Sequence, residues 1–343
     1  MKILRTPEQA PIDPLRGKPV AVVGFGNQGY AHALNLRESG LDVVVGTRPN
    51  SPSFHRASTL GFDCLPIPDI AKNAKLVILA LPDEVQPQVY ERDLAPQLRG
   101  GSIVGFLHGF NICYDLIQPA ADLGVIMVAP KGPGDTLRRL YCEGKGLPCL
   151  FAMHQDSPAG DAEAIGLAWA NAIGCARAAI VYTTFRDETE TDLFGEQAVL
   201  CGGMSQLMVA AFETLVDAGY PPELAYLECC HEMKQIADLV YQRGLAGMYK
   251  AISNTAEFGA YRAGPLLIDD EVRVRMRQLL TEVRDGAFAK AVRDDYAGGF
   301  RWFMQQREAA SGGPIESAGK AVRDLMPWLA ESTEAVRPEP KES

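Results

Sequence analysis

The sequence predicts an α/β half, a doubly wound parallel sheet, followed by an all-helical half. In the first half, short β-branched runs alternate with helical patterns, the mark of parallel strands joined by crossover helices. After about residue 185 the strand-like runs stop and long apolar-periodic stretches replace them. At 343 residues the chain has room for two domains. We place them at 1–183 for a dinucleotide-binding domain and 184–330 for a helical metal and substrate domain. Residues 331–343, polar and proline-containing, read as a disordered tail.

The elements follow in order. "PVAVVG" (19–24) reads as a buried strand, "NQGYAHALNLRES" as a helix and "LDVVVG" (41–46) as a second strand. Further strands are expected at 75–81, 101–107, 125–130, 147–153 and 176–185. "DLFGEQAVLCGGMSQLMVAAFETLVDAG" reads as one long apolar helix. "PPELAYLECCHEMKQIADLVYQRG" opens on proline and closes on glycine, as a helix does. Two or three more helices fill the chain to about residue 329, and no internal repeat is visible.

A formal charge of −10 and a pI near 5.1 argue against a general binder of nucleic-acid backbones. The N-terminus lacks the apolar core of a signal peptide, and no run of about 18 apolar residues suggests a membrane span. Eight cysteines without a C-x-x-C spacing read as reduced, mostly buried thiols of a cytoplasmic protein.

Chemistry enters at "VAVVGFGNQGYAHALNL". Gly24, Gly26 and Gly29 form G-x-G-x-x-G between a strand and a helix, the context in which that spacing cradles a dinucleotide pyrophosphate. A strand ending in Asp or Glu would then select NAD through the ribose hydroxyl. Here the second strand runs into "VVVGTRPNSPS", with no acid. Arg48, Ser51 and Ser53 instead suit the 2′-phosphate of NADP, although an arginine in a solvated loop has the same sequence.

The helical half carries two acid pairs at i,i+4: Asp192 with Glu196, preceded by Glu188, and Glu228 with Glu232. Each lies on a stripe that turns apolar, at Leu200 and at Leu224 and Ile236. Partly buried acids without cations protonate or find a metal. If the two helices face each other, four carboxylates make an oxygen cage suited to one or two Mg²⁺. Glu188 reads as the solvated member. Either pair alone reads equally as a solvated acidic face.

Together these stretches resemble the ketol-acid reductoisomerase family in its short, class I form. The motifs are "TTFRDETETDLFGEQAVLCGG", "AYLECCHEMK", "SNTAEFG", "LHGFNI", "APKGPG" and "LPDEVQ", and the resemblance extends to "MPWL" at 326–329. It implies an N-terminal Rossmann domain, a knotted helical C-terminal domain, NADPH and two Mg²⁺. It also implies dimers or larger assemblies that convert 2-acetolactate or 2-aceto-2-hydroxybutyrate to dihydroxy acids for valine and isoleucine synthesis.

By motif, Asp192 would bridge both metals, Glu196 would bind one, and Glu228 and Glu232 would bind the second from a partner subunit. Ser253 would hold the substrate carboxylate. His108 and Lys131 would line the reaction site, with Glu232 and Lys131 moving protons. Gly24, Phe25, Gly26, Asn27, Gln28, Arg48, Ser51, Ser53, Asp83, Glu84, Val85, Gln86 and Gly134 would contact the cofactor. Taken alone, His108 reads as an ordinary loop histidine and Lys131 as a surface lysine.

The match departs at Asn27 and Tyr30, where the family commonly has Ser and His, and at Asp135, commonly His. It departs again after "HGFN" and in "GPLL" (264–267), which lacks a common arginine. These changes fit a divergent housekeeping enzyme. They also fit a relative whose metal and hydride machinery serves another substrate, such as a cationic sulfonium intermediate in cyclopropanol formation. A third class, a non-catalytic NADP-binding protein, has no use for four clustered acids.

Overall fold

The computed structural model describes residues 1–329; the expected tail at 331–343 lies outside them. Two compact units form, Met1–Thr191 and the residues from Asp192 onward. The division falls inside the helix that starts at Phe185, not ahead of it. Phe185, Glu188 and Thr189 are all buried, and Phe185 packs in the core of the first unit.

That unit is built on a nine-stranded sheet. Its strands are β1 (Ile3–Leu4), β2 (Val20–Val23), β3 (Val43–Thr47), β4 (Asp63–Pro66), β5 (Leu76–Leu79), β6 (Ile103–Phe106), β7 (Gly124–Pro130), β8 (Cys149–Gln155) and β9 (Ile180–Tyr182). The order is β1-β9-β8-β7-β6-β5-β2-β3-β4. Strands β2, β5 and β6 are buried at every position, as a sheet covered on both faces requires. Alternate residues feed opposite layers. Val20, Val22, Leu76 and Ile78 join the cluster under helices Asn27–Glu38 and Ala162–Ala172, which contains Trp169. Ala21, Val23, Val77 and Leu79 join the other, with Ile70, Tyr90 and Leu94.

The sheet is mixed, not wholly parallel: β8 runs antiparallel to β7, and β1 antiparallel to β9. The expected strands appear, the last one shortened to Ile180–Tyr182. Two unexpected strands also appear. β1 has two residues, and β4 is the edge sequence "DCLP", whose acid and proline belong at a sheet margin. The order reverses between β2 and β5, and the glycine loop leaves β2 at that switch point.

The second unit is helical. The helix from Phe185 runs to Asp217, 33 residues, and is interrupted by a π turn at Glu196–Leu200. By length and composition alone it is long and apolar enough to cross a membrane, although polar residues interrupt it throughout. The next helical stretch also contains a π turn, Leu227–His231, before continuing from Met233. Gly244 breaks it at φ 68°, where the sequence placed its end, but another helical segment follows at once. Among the described residues, the helices Asn254–Leu267, Asp270–Arg284, Ala287–Ala297, Arg301–Ser311 and Pro314–Asp324 follow, more than expected. The buried core of this unit is small, centred on Phe212, Ala225 and Ala318, while Tyr241, Leu245, Phe258 and Trp302 stand exposed. The cysteines are all free, but only Cys149, Cys175 and Cys230 are buried; Cys142 and Cys201 are exposed.

Within the sheet core, Trp169 Nε1–H donates to His32 Nδ1 at 3.1 Å. Burial pushes the His32 imidazole down to about 3, so it stays neutral in the fold and takes a proton on unfolding. The unfolded chain therefore binds the extra proton between about pH 6.5 and 3. Stability is expected to fall as pH drops through that window, by up to about 1.4 kcal/mol per pH unit from this residue. Urea unfolding across pH checks it. His32→Gln, which keeps an acceptor for Trp169, is expected to flatten the dependence.

Candidate active site

The loops at the carboxyl ends of β2, β3, β5, β6 and β7 hold most of the residues singled out above. After β2, Gly24 adopts φ 98°, and a Cβ there would lie 2.5 Å from the Ala80 carbonyl oxygen after β5. At Gly29 a Cβ would lie 2.3 Å from the Gly24 carbonyl oxygen, so helix and strand meet with no room for a side chain. Gly26 is different: nothing lies within 4 Å of its missing Cβ. Its open face, at the start of helix Asn27–Glu38, is the approach a pyrophosphate needs.

The neighbours of the loop divide by role. Phe25 is buried against Tyr30 and Phe62 and supports the turn. Tyr30 lies beneath the Arg56 guanidinium, 4.1 Å away. Asn27 is exposed, and the Asn27–Gln28 peptide rests against Gly134, which leaves no space for a Cβ there. Gln28 Nε2 donates to the Gly132 carbonyl at 3.1 Å. Gln28 Oε1 and Asp135 Oδ1 are buried beside this junction without a hydrogen-bond partner. These acceptors and the open glycine fit a nicotinamide dinucleotide, whose ribose hydroxyls donate.

After β3, Arg48 is exposed. Ser51 caps helix Pro52–Thr59, its Oγ accepting from Phe54 N–H at 3.2 Å, and Ser53 lies in the first turn of that helix. After β5 come Asp83, Glu84 and Val85, all half-buried, then buried Gln86. Gln86 Nε2 donates to the Leu81 carbonyl at 2.8 Å. Asn111, beyond β6, donates to Gln86 Oε1 and to the Asp83 carbonyl, both at 3.1 Å. Gln86 thus braces two loops, and sequence reasoning missed Asn111 altogether.

Glu188 is the main correction. Expected in solvent, it is 1% exposed. His108 Nδ1 and the Gly109 N–H each donate to its Oε2 at 2.9 Å, and Lys131 Nζ donates to its Oε1 at 2.8 Å. Burial works to raise its carboxyl, but the His108 hydrogen bond and the His108 and Lys131 charges outweigh that and hold it at about 2. Glu188 is therefore a carboxylate that only accepts, and His108 Nδ1 carries the proton it shares. His108 and Lys131, ordinary residues when read singly, meet on one buried acid. Asp192 follows Glu188 one turn along the same helix.

In the second unit, Glu196, Glu228 and Glu232 are exposed and Asp192 is half-buried, so the expected burial of both acid pairs does not occur within one chain. Among the described residues, Glu196, Glu228 and Glu232 belong to no converging group of three His, Cys, Asp or Glu. Glu196 opens one π turn, and Glu228 lies in the other, with Glu232 directly after it. Hard carboxylate oxygens are the donor set Mg²⁺ takes. Ser253 caps helix Asn254–Leu267, its Oγ accepting from Ala256 N–H at 3.2 Å.

Residues 14–179 match the family "Acetohydroxy acid isomeroreductase, NADPH-binding domain", and residues 185–328 match "Ketol-acid reductoisomerase, C-terminal domain". The chain belongs to the ketol-acid reductoisomerase family. It is similar to an NADH-preferring ketol-acid reductoisomerase from an uncultured archaeon, with 45% identity and a TM-score of 0.92 over 95% of this chain and 99% of that one. Two other structures share the fold alone. One is a semialdehyde dehydrogenase NAD-binding protein from Cupriavidus necator, at 21% identity and TM-score 0.61 over 78% and 99% of the two chains. The other is a pyrroline-5-carboxylate reductase from Coxiella burnetii, at 16% and 0.52 over 79% and 98%. The family makes this chain an oxidoreductase and isomerase with a nicotinamide cofactor domain.

In this reductoisomerase fold, replacing Glu188 by Gln removes the buried carboxylate to which Lys131 and His108 donate. A carboxyl held near 2, against 4.5 unfolded, corresponds to roughly 3 kcal/mol at neutral pH. That stabilisation is complete above about pH 4.5 and is lost as pH falls toward 2. Glu188→Gln is expected to cost about that much in urea unfolding at pH 7, with the gap from the parent narrowing below pH 4.5.

Proposed function

We propose that this chain is an NADPH- and Mg²⁺-dependent ketol-acid reductoisomerase. Its substrates would be 2-acetolactate and 2-aceto-2-hydroxybutyrate, and its role valine and isoleucine synthesis in the cytoplasm. The observation that carries the reading is the buried Glu188 carboxylate, which holds Lys131 and His108 together one helical turn before Asp192. When bound, Mg²⁺ stabilises negative charge on adjacent substrate oxygens, and the nicotinamide supplies hydride.

The protein's own groups have distinct tasks. Lys131, fixed by Glu188, places an ammonium beside the reacting oxygens and is suited to hold or deliver a proton there. His108 is oriented through its Nδ1–H. Ser253 keeps a hydroxyl proton to donate to the substrate carboxylate at the start of its helix. Asp192, Glu196, Glu228 and Glu232 are the metal ligands in this reading, and Glu232 also moves protons. The exposure of Glu228 and Glu232 and the exposed apolar side chains of the helical unit support a homodimer or larger homo-oligomer whose site is shared between subunits. Arg48, Ser51 and the absence of an acid after β3 support NADPH, although the archaeal relative prefers NADH.

A second reading keeps the machinery but takes a cationic substrate. It is favoured by Asp135, whose buried Oδ1 lacks a partner beside the cofactor loop. Growth of a valine and isoleucine auxotroph on this chain would argue against it.

NADPH oxidation is expected with 2-acetolactate and Mg²⁺, and no turnover at saturating substrate would sink the main reading. Glu232→Gln is expected to lower kcat by about 10²-fold or more, the scale of a lost proton-transfer group. Arg48→Asp is expected to shift the NADPH/NADH ratio of kcat/KM toward NADH by roughly tenfold or more, because a charged hydrogen bond becomes a repulsion. Steady-state kinetics with both cofactors measures it.

A further inference from the structure

We propose that Gly202 and Gly203 are positioning residues for the metal site, because they permit the π turn that begins at Glu196. This rests on reading Asp192 and Glu196 as metal ligands. In the turn Glu196–Leu200 the chain inserts one extra residue into the helix, and Cys201 N–H donates to the Glu196 carbonyl at 2.9 Å. The next two carbonyls fold down onto the glycine pair. A Cβ at Gly202 would lie 2.2 Å from the Gln197 oxygen, and one at Gly203 would lie 2.1 Å from the Ala198 oxygen. Backbone cannot yield to such contacts as a flexible side chain can, so a methyl at either position displaces the peptides of the turn.

Glycine is not a general requirement of π turns in this chain. The positions that correspond to Gly202 and Gly203 are Met233 and Lys234 after the turn Leu227–His231, and Pro96 and Gln97 after the turn Tyr90–Leu94. Of the three π turns among the described residues, the one at Glu196 has glycine at both of these positions, and there a Cβ would meet a carbonyl oxygen. The π turn begins at Glu196 itself, four residues after Asp192 on the same helix, so displacing the turn moves the backbone that carries one of the two carboxylates. Gly195, between the two acids, is a built-in control: it has φ −60°, and nothing lies within 4 Å of its Cβ position.

Isothermal titration of Mg²⁺ alone into the full-length apo chain tests this, with far-UV circular dichroism and the metal-free unfolding midpoint measured alongside. Wild type is expected to bind, and Glu196→Gln to bind weakly. Gly203→Ala is expected to raise the Mg²⁺ Kd about tenfold or more, the scale seen when groups that orient metal ligands are lost. Its fold and metal-free midpoint should be retained, and Gly195→Ala should leave the Kd unchanged. A merely structural glycine would lower the midpoint without moving the Kd, and that result overturns the proposal. So does an unchanged Kd in a folded Gly203→Ala. If Gly203→Ala does not fold, Gly202→Ala is judged by the same criteria, and failure of both to fold assigns the pair to the fold and overturns the proposal. If wild type does not bind Mg²⁺, the metal reading itself falls. If wild type binds and the glycine variants bind equally, only the inference about the glycines falls.

Discussion

A carboxylate taken out of water is among the costliest things a fold can hold, and in this chain Glu188 is held almost fully buried. It is stable there because three donors converge on its two oxygens, from the loop after β6 and the loop after β7. Each partner depends on the others. Without the Lys131 or His108 donor, the acid would be a buried charge with fewer hydrogen bonds to hold it. The result ties two strand-end loops to the start of one helix.

Much of the first unit was legible because its signals are local. Valine-rich runs and the glycine spacing lie within a few residues of one another, and the sheet formed where they pointed. What stayed hidden depends on distant or directionless information. Glu188 meets His108 80 residues away and Lys131 57 away, and nothing near "ETETD" announces either partner. Strand sequence does not encode direction, so the antiparallel seating of β8 was invisible. A π turn differs from an α turn by one residue, too little to alter an apolar pattern read over several turns. The acid pairs were visible as pairs, but their exposure in this chain depends on which helix faces the other elements cover, and i,i+4 spacing does not show that.

Cofactor choice illustrates how two signals of different range combine. The archaeal relative shares 45% identity and prefers NADH, yet preference is decided by the few groups that face the ribose. Here β3 ends without an acid, and Ser51 is already committed as an acceptor to Phe54 N–H, which leaves its proton to be donated. A hydroxyl so arranged favours an anion over a second donor, and exposed Arg48 adds a fixed positive charge nearby. Overall likeness establishes the family, while these local groups support the phosphate-bearing cofactor within it.

The helical unit presents two problems that one event would solve. Its core is small while Leu207, Tyr241, Leu245 and Trp302 are exposed, and its carboxylates Glu228 and Glu232 stand in solvent as like charges. A second copy of the chain that covered the apolar side chains would also bring acids of one subunit toward those of the other, a repulsion that only a cation relieves. Under the function proposed above, association and Mg²⁺ binding are therefore linked. In that reading, whatever strengthened one would strengthen the other by the same free energy, because the ligands would come from both copies. The acidic surface would then act as the specificity device of assembly, keeping apolar faces apart until the metal is present.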